Sequence, residues 1–341
     1  MARERKTTKL QDIAEEVGMS INTVSRALRN KPDVNETTRN LIVQKARAMG
    51  YEFTEPAPIS RDNILQIGVL IEDMDNPYFT KIIRGIEQVF WHERQNFIAY
   101  SSYRQESKEL SLCEFFCHQR LDGIIVASAM NPPAVVDCIE KHDIPAVALS
   151  RNYEEFGMDF VATDNFAGGL MATEHLVRLG HTAIAHISGV ETQRSAIDRI
   201  RGYKQALADA GIPIDSRLIR VSDNSIESGY YLTRDLLQIS DRPTAIFAYN
   251  DLVALGCYRA ITECGLTIPT DISVVGFDDI AFAEYYQQPL TTVIQPTVEI
   301  GIKAAEILIH KIQNPPFAEQ KKLVLKPLLA VRSSTSICPR K

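Results

Sequence analysis

Apolar positions change period along this chain. Over residues 1–50 they recur at intervals of three and four, the spacing that lines one face of a helix: Leu10, Ile13, Ala14 and Val17, then Val24 and Leu28, then Leu41, Ile42, Ala46 and Met49. Thr37 and Thr38 stand where the third helix should open, Thr37 as a cap, and Gly50 where it should close. Residues 51–64, YEFTEPAPISRDNI, have little periodicity and carry Pro56 and Pro58, so they read as a linker. From Leu65 onward short apolar runs alternate with amphipathic stretches. Strands are predicted at 65–71, 97–100, 122–127, 145–149, 160–164, 183–187, 244–248 and 272–277, with helices at 78–93 and 165–180 among the segments between them.

That rhythm predicts an all-α head followed by an α/β body of parallel, doubly wound sheets covered on both faces. The body, 65–341, is long for one such sheet, so two lobes are expected. The first takes residues from about 65 to 160 plus a late return of the chain, the second from about 161 to 290. In such sheets ligands sit beyond the carboxyl ends of the strands.

The second helix of the head, within VGMSINTVSRAL (17–28), has an unusual surface. Gly18 permits a sharp turn and Ser20 can cap the second helix. Val24 and Leu28 would anchor that helix on Leu10, Ile13 and Ala14, leaving Ile21, Asn22, Thr23, Ser25 and Arg26 outward. A solvated helix more often carries Lys and Glu there. Short hydroxyls and amides suit phosphate oxygens, and Asn or Arg can pair with purine edges.

Charge is distributed accordingly. The chain carries -6 overall, yet residues 1–51 hold ten Lys/Arg against six Asp/Glu, about +4, leaving about -10 for the rest. An anionic partner is therefore expected at the small end alone. The six cysteines are expected to be buried thiols of a reducing compartment. Cys113 and Cys117 would share a helix face beside His118, but a metal site would want a second matching pair, and none is evident. No signal peptide and no apolar run near the ~20 residues of a membrane span occur, which points to a soluble, cytoplasmic protein without membrane contact. No G-x-G-x-x-G, P-loop or G-x-S-x-G is present, so neither an enzyme nor a cofactor is expected.

The run KLQDIAEEVGMSINTVSRALRNKPDVNETTRNLIVQKARAMGY resembles the DNA-binding head of the LacI/GalR family of bacterial transcriptional regulators: an Asp-Ile-Ala helix, a Gly-x-Ser turn, Thr-Val-Ser-Arg and a terminal Gly-Tyr. The resemblance implies that Ile21, Asn22 and Arg26 read bases, while Ser20, Thr23, Ser25, Asn35, Thr38 and Arg39 hold phosphates. In the family a short hinge helix comes next, with a leucine that wedges into the minor groove. Here that leucine is absent, Ile59 and Arg61 stand nearest, and Pro58 disfavours helical backbone at Ala57. A weakened or absent hinge helix is expected.

The body resembles the same family, whose fold is shared with periplasmic sugar-binding proteins, through DNPYF (75–79), DGIIV (122–126), TDNFAGG (163–169), RIRGY (199–203), AYNDLVALG (248–256), DISVVGFDD (271–279) and PLTTVIQP (289–296). It implies an effector site of Tyr78, Phe79, Asp164, Arg199, Asn250, Asp278 and Gln295. Other roles compete: Phe79 as core, Arg199 as an ion-pair partner of Asp198 or Glu191, Asn250 as a helix cap as well as a ligand contact. Relatives often carry arginine at the position of Ile197 and an aromatic at that of Asn224, so the effector stays open among sugar, sugar acid and sugar phosphate. The resemblance implies a homodimer on a near-palindromic DNA operator, a repressor of carbohydrate genes. The alternatives are control of the same head by a protein corepressor and, from another class, a solute-binding protein with no use for residues 1–50. The tail after Val331 has no leucine heptads for a zipper-type tetramer.

Overall fold

Three short helices come first: α1 (Leu10–Val17), α2 (Ile21–Leu28) and α3 (Glu36–Ala48). The structure, a computed structural model, describes residues 8–28, 34–51, 64–119, 121–127, 130–314 and 320–339. They fall into two units, divided between Ile64 and Leu65. Helix α1 stops at Gly18, whose φ of 67° is left-handed and costs glycine little. The Ser20 hydroxyl accepts from the Thr23 amide at 3.0 Å and so opens α2. Asn35, not Thr37, opens α3: its side-chain oxygen accepts from the Thr38 amide at 2.8 Å. Asn is the stronger cap of the two, and Thr37 falls inside the first turn. Helices of eight residues do not persist alone in water. They are held by a shared core of Ile13, Val24, Ala27, Leu28, Ile42 and Ala46, in which each larger side chain contributes about 1.5–3 kcal/mol by burial.

The body then runs β1 (Gln66–Ile71), α4 (Pro77–His92), β2 (Asn96–Ser101), α5 (Glu106–His118), β3 (Gly123–Ala127), α6 (Pro132–Lys141), β4 (Ala146–Ala148) and β5 (Asp159–Thr163). It continues with α7 (Asn165–Arg178), β6 (Ile184–Ser188), α8 (Arg194–Asp209), β7 (Ile219–Val221), α9 (Ile226–Leu237), β8 (Ala245–Ala248), α10 (Asp251–Glu263), β9 (Ser273–Asp278) and β10 (Thr291–Ile294). Last come α11 (Thr297–Gln313), β11 (Lys322–Leu325) and β12 (Leu328–Ala330).

Two six-stranded sheets result, in the orders β11-β5-β4-β3-β1-β2 and β12-β10-β9-β8-β6-β7. All pairs are parallel except β10 with β12. Helices α4 and α11 bury Ile82, Ile86, Phe90, Ile300 and Leu308 on one face of the first sheet; α5 and α6 bury Phe116, Val135 and Ile139 on the other. The second sheet is covered likewise by α7 with α8 and α9 with α10. The expected α/β body of two doubly wound lobes is therefore observed, with one antiparallel edge strand. By sheet membership β5 belongs to the first lobe, and β10 and β12 to the second. The chain thus crosses between lobes three times: after β5, after β10, and between β11 and β12. Asp164 and Gln295 sit at the first two crossings.

Candidate functional site

In the head, α2 presents Ile21, Asn22, Ser25 and Arg26 at i, i+1, i+4 and i+5, which is one face of a helix. Ile21 is 48% exposed, Asn22 and Arg26 are exposed, and Ser25 is half-buried. An isoleucine left in water at the start of an otherwise polar ridge has no folding role. Ser20 and Thr23 stand beside it with their hydroxyls 2.8 Å apart. The other residues assigned to phosphates divide. Asn35 and Thr38 are joined by the cap of α3, and a guanidinium nitrogen of Arg39 donates to the Val34 carbonyl at 2.7 Å. Ile59 and Arg61, and with them the question of a hinge helix, lie outside the described residues.

In the body, a cleft partly open to solvent lies between the carboxyl ends of the two sheets. Tyr78, Phe79, Arg199, Asn250, Asp278 and Gln295 line it together. Asp164 does not: its carboxylate accepts from the Ala167 amide at 2.9 Å and caps α7, while the next residue, Asn165, reaches the cleft. Asn250 caps α10 through the Val253 amide at 2.8 Å and still borders the cleft.

Arg199 is the most heavily engaged of these groups. It donates to the Tyr249 carbonyl at 2.6 Å and to Asn165 Oδ1 at 2.9 Å. Its guanidinium lies 3.6 Å from the centroid of the Phe277 ring. Its Nη2 is 3.9 Å from Asp278. It reaches this position because α7 and α8 touch backbone to backbone: a Cβ on Gly169 would sit 2.3 Å from the Arg199 carbonyl oxygen.

Asp278 accepts from Gln295 Nε2 at 2.6 Å. Burial pushes its carboxyl up from the ordinary 3.8 to about 6, against the opposing pull of Arg199 and Gln295. Its backbone φ is 119° and that of Asp279 is 53°, two consecutive non-glycine residues in a costly region, as is common where a site is built.

Sequence reasoning missed the rest of the wall. Glu72 and Arg104 come from the loops after β1 and β2, Gln193, Asn224 and Tyr249 from the loops after β6, β7 and β8. Strand-end position was the signal that could have found them. Burial raises the Glu72 carboxyl, and Gln193 of the other lobe donates to it at 3.3 Å. Arg104 binds Asp73 at 2.8 Å and reaches across to the Asp223 carbonyl at 2.7 Å, while Lys81 donates to the Asp279 carbonyl. These bonds tie the lobes together. The Asn224 side-chain oxygen, buried and set at a φ of 71°, has no hydrogen-bond partner among the described residues. Among the described residues the three cations that line the cleft all have partners, Arg104, Arg199, and Arg194 with Asp198 at 3.2 Å, although Arg104 Nε itself makes no hydrogen bond.

Among the described residues, no helix is long and apolar enough to cross a membrane. Residues 9–52 match the family of bacterial regulatory proteins of the lacI type, and 173–335 match the periplasmic binding protein-like domain. The HTH-type transcriptional regulator DegA of Bacillus subtilis (strain 168) is 33% identical over 333 residues, covering 96% of this chain and 98% of DegA. A solved complex of the transcriptional regulator CelR with cellobiose superposes with a TM-score of 0.74 at 27% identity, covering 96% of this chain and 99% of CelR. The lac repressor dimer bound to operator and the anti-inducer ONPF gives 0.73 at 27%, covering 97% and 100%. With a helical head whose polar ridge faces outward and a two-lobed body around a polar cleft, the chain belongs to the LacI/GalR family of bacterial transcriptional regulators, DNA-binding proteins and not enzymes.

Proposed function

We propose that this chain is a ligand-responsive repressor of carbohydrate-metabolism genes that binds a near-palindromic operator as a homodimer. Residues 1–50 form its DNA-binding head, 51–64 its hinge linker and 65–341 its effector-binding and dimerisation body. One observation carries the effector assignment: among the described residues each arginine of the cleft wall is engaged by a protein carbonyl or carboxylate, with Arg104 Nε left as a donor without a hydrogen bond, while Asp278, Glu72 and the unpartnered oxygen of Asn224 offer acceptors. A wall rich in acceptors, whose arginines are held by the protein itself, suits a neutral ligand bearing many hydroxyl donors. Tyr78 and Phe79, in edge contact at 5.0 Å, offer ring surface for its C–H face. Arg199 organises the wall and does not wait for an anion. Sugar acids and sugar phosphates are therefore the less favoured members of the class.

The cleft is bounded by the crossings between lobes, so a ligand that prefers one lobe angle shifts the population toward it; equal affinity for both would shift nothing. On DNA, Asn22 and Arg26 pair with purine edges and Ile21 packs on a thymine methyl, while Ser20, Thr23, Ser25, Asn35, Thr38 and Arg39 set the register on phosphates. A single head covers a half-site, which calls for two copies related by a twofold axis. Support for a dimer comes from apolar surface left in water on the edge strand β2 and its neighbour α5: Ile98, Tyr100 and Phe115 are exposed, the two rings 5.8 Å apart. Calorimetry against neutral mono- and disaccharides, sugar acids and sugar phosphates tests the effector. Binding by a neutral sugar is expected; binding confined to anionic sugars would contradict it.

A further inference from the structure

The N-lobe holds a second concentration of chemistry that the effector cleft does not use. Cys113 and Cys117, one helical turn apart on α5, meet Cys138 of α6, and the three buried sulfurs all lie within 4.8 Å of one another. Cys117 Sγ and Cys138 Sγ are 3.7 Å apart. Two thiolates on one tetrahedral zinc, each about 2.3 Å from the ion, stand about 3.8 Å apart. The second pair that sequence spacing did not reveal is supplied by α6, with a histidine for its other member: Cys138 and His142 are four residues apart.

His142 and His118 close α6 and α5, with their rings 5.5 Å apart. Nδ1 of His142 bonds the Cys138 carbonyl at 2.8 Å, and Nδ1 of His118 bonds the Glu114 carbonyl at 2.8 Å. A carbonyl can only accept, so Nδ1 carries the hydrogen in both rings, which leaves Nε2 as the nitrogen that a metal would take. That is the outer-shell arrangement that prepares a histidine for a metal. Both rings line surface depressions that also reach Cys117 and Cys138, which gives an ion a way in. Neither imidazole belongs to the 4.8 Å sulfur set, so the fourth position is filled by rotation of one ring or by water.

We propose that Cys113, Cys117 and Cys138 form a binding site for one thiophilic metal ion, zinc(II) foremost, that clamps α5 to α6. Binding replaces the three thiol protons, which pass to solvent, and leaves no sulfur oxidised. The site does not depend on the DNA or effector reading.

The test uses the reduced, chelator-stripped full chain titrated with cobalt(II). The expected result is thiolate-to-cobalt charge-transfer absorption that saturates at one equivalent per chain and is displaced by zinc. Cys117→Ser and Cys138→Ser lose it, and Cys264→Ser, at an exposed cysteine, keeps it. Absence of the band from the wild-type chain overturns the proposal whether or not the variants fold. So does a band that survives in folded Cys117→Ser and Cys138→Ser. A Cys117–Cys138 disulfide that forms under air in the presence of one equivalent of zinc, detected by mass, also overturns it.

Discussion

Replacing Asp278 by Asn should stabilise the body at neutral pH while weakening the effector. Asp278 is buried, and its carboxyl is raised from 3.8 to about 6, with desolvation the largest cause. A raised acid binds its proton more tightly folded than unfolded, so its ionisation subtracts from stability as pH rises between those two values. The displacement corresponds to about 3 kcal/mol at pH 7, and the effect fades out only well below the unfolded value of 3.8, at about pH 2–3, where both states are protonated. Asparagine keeps the shape and the acceptor that Gln295 uses, without the charge. The stability gap, variant minus wild type, should therefore open from near zero at about pH 2–3 to at most about 3 kcal/mol at pH 7, the attraction of Arg199 being already contained in the raised value. Urea unfolding of both chains at several pH values, followed by fluorescence and by calorimetry with a bound sugar, measures it. For the ligand, a carboxylate that accepts from hydroxyls becomes an amide that accepts through one oxygen only, so affinity should fall roughly tenfold or more. A variant less stable than wild type at pH 7, or a gap that does not change with pH, would refute the reasoning.

The same geometry sets three further outcomes. Gly169→Ala places a methyl 2.3 Å from the Arg199 backbone, so α8 must shift; a loss of about 1–3 kcal/mol of stability and weaker effector binding are expected in thermal and calorimetric assays. Arg26→Ala should cost about 1–3 kcal/mol on the preferred operator and much less on unrelated duplex, measured by fluorescence anisotropy. Ile42→Ala, at the fully buried centre of the head core, should cost about 2–5 kcal/mol there and abolish operator binding while leaving effector calorimetry unchanged.

The head was legible because its core is local: Ile13, Val24, Leu28, Ile42 and Ala46 repeat with the period of the helices that bury them. Two readings there differ from the structure: Asn35 and not Thr37 caps α3, because the amide two residues earlier is the better acceptor, and Leu41, counted with the apolar stripe, is 43% exposed beside the buried Ile42. Buried strands such as β1 and β3 announced themselves as unbroken apolar runs. Strand β7 did not, since it is short and half in water, and neither did β11 and β12, short edge strands that Lys326 and Pro327 divide between two sheets.

A residue after a strand faces either the cleft or the first turn of the next helix, and sequence does not tell these apart. Asp164 took the second option and Asn165 the first. Glu72, Arg104 and Gln193 meet only because loops from different lobes converge, and Cys138 meets Cys117 only because α6 packs on α5. Such contacts have no period along the chain.

The central claim is that operator choice by the head answers to occupancy of the cleft. Its most direct test is equilibrium binding of the full chain to fragments of its own genome, in competition with scrambled duplex at moderate salt, with and without the sugar that calorimetry identifies. Selective binding of some fragments by two chains per site, altered at least tenfold by saturating sugar, is the predicted result. Equal affinity for genomic and scrambled duplex, or selective binding that the sugar leaves untouched, would contradict it.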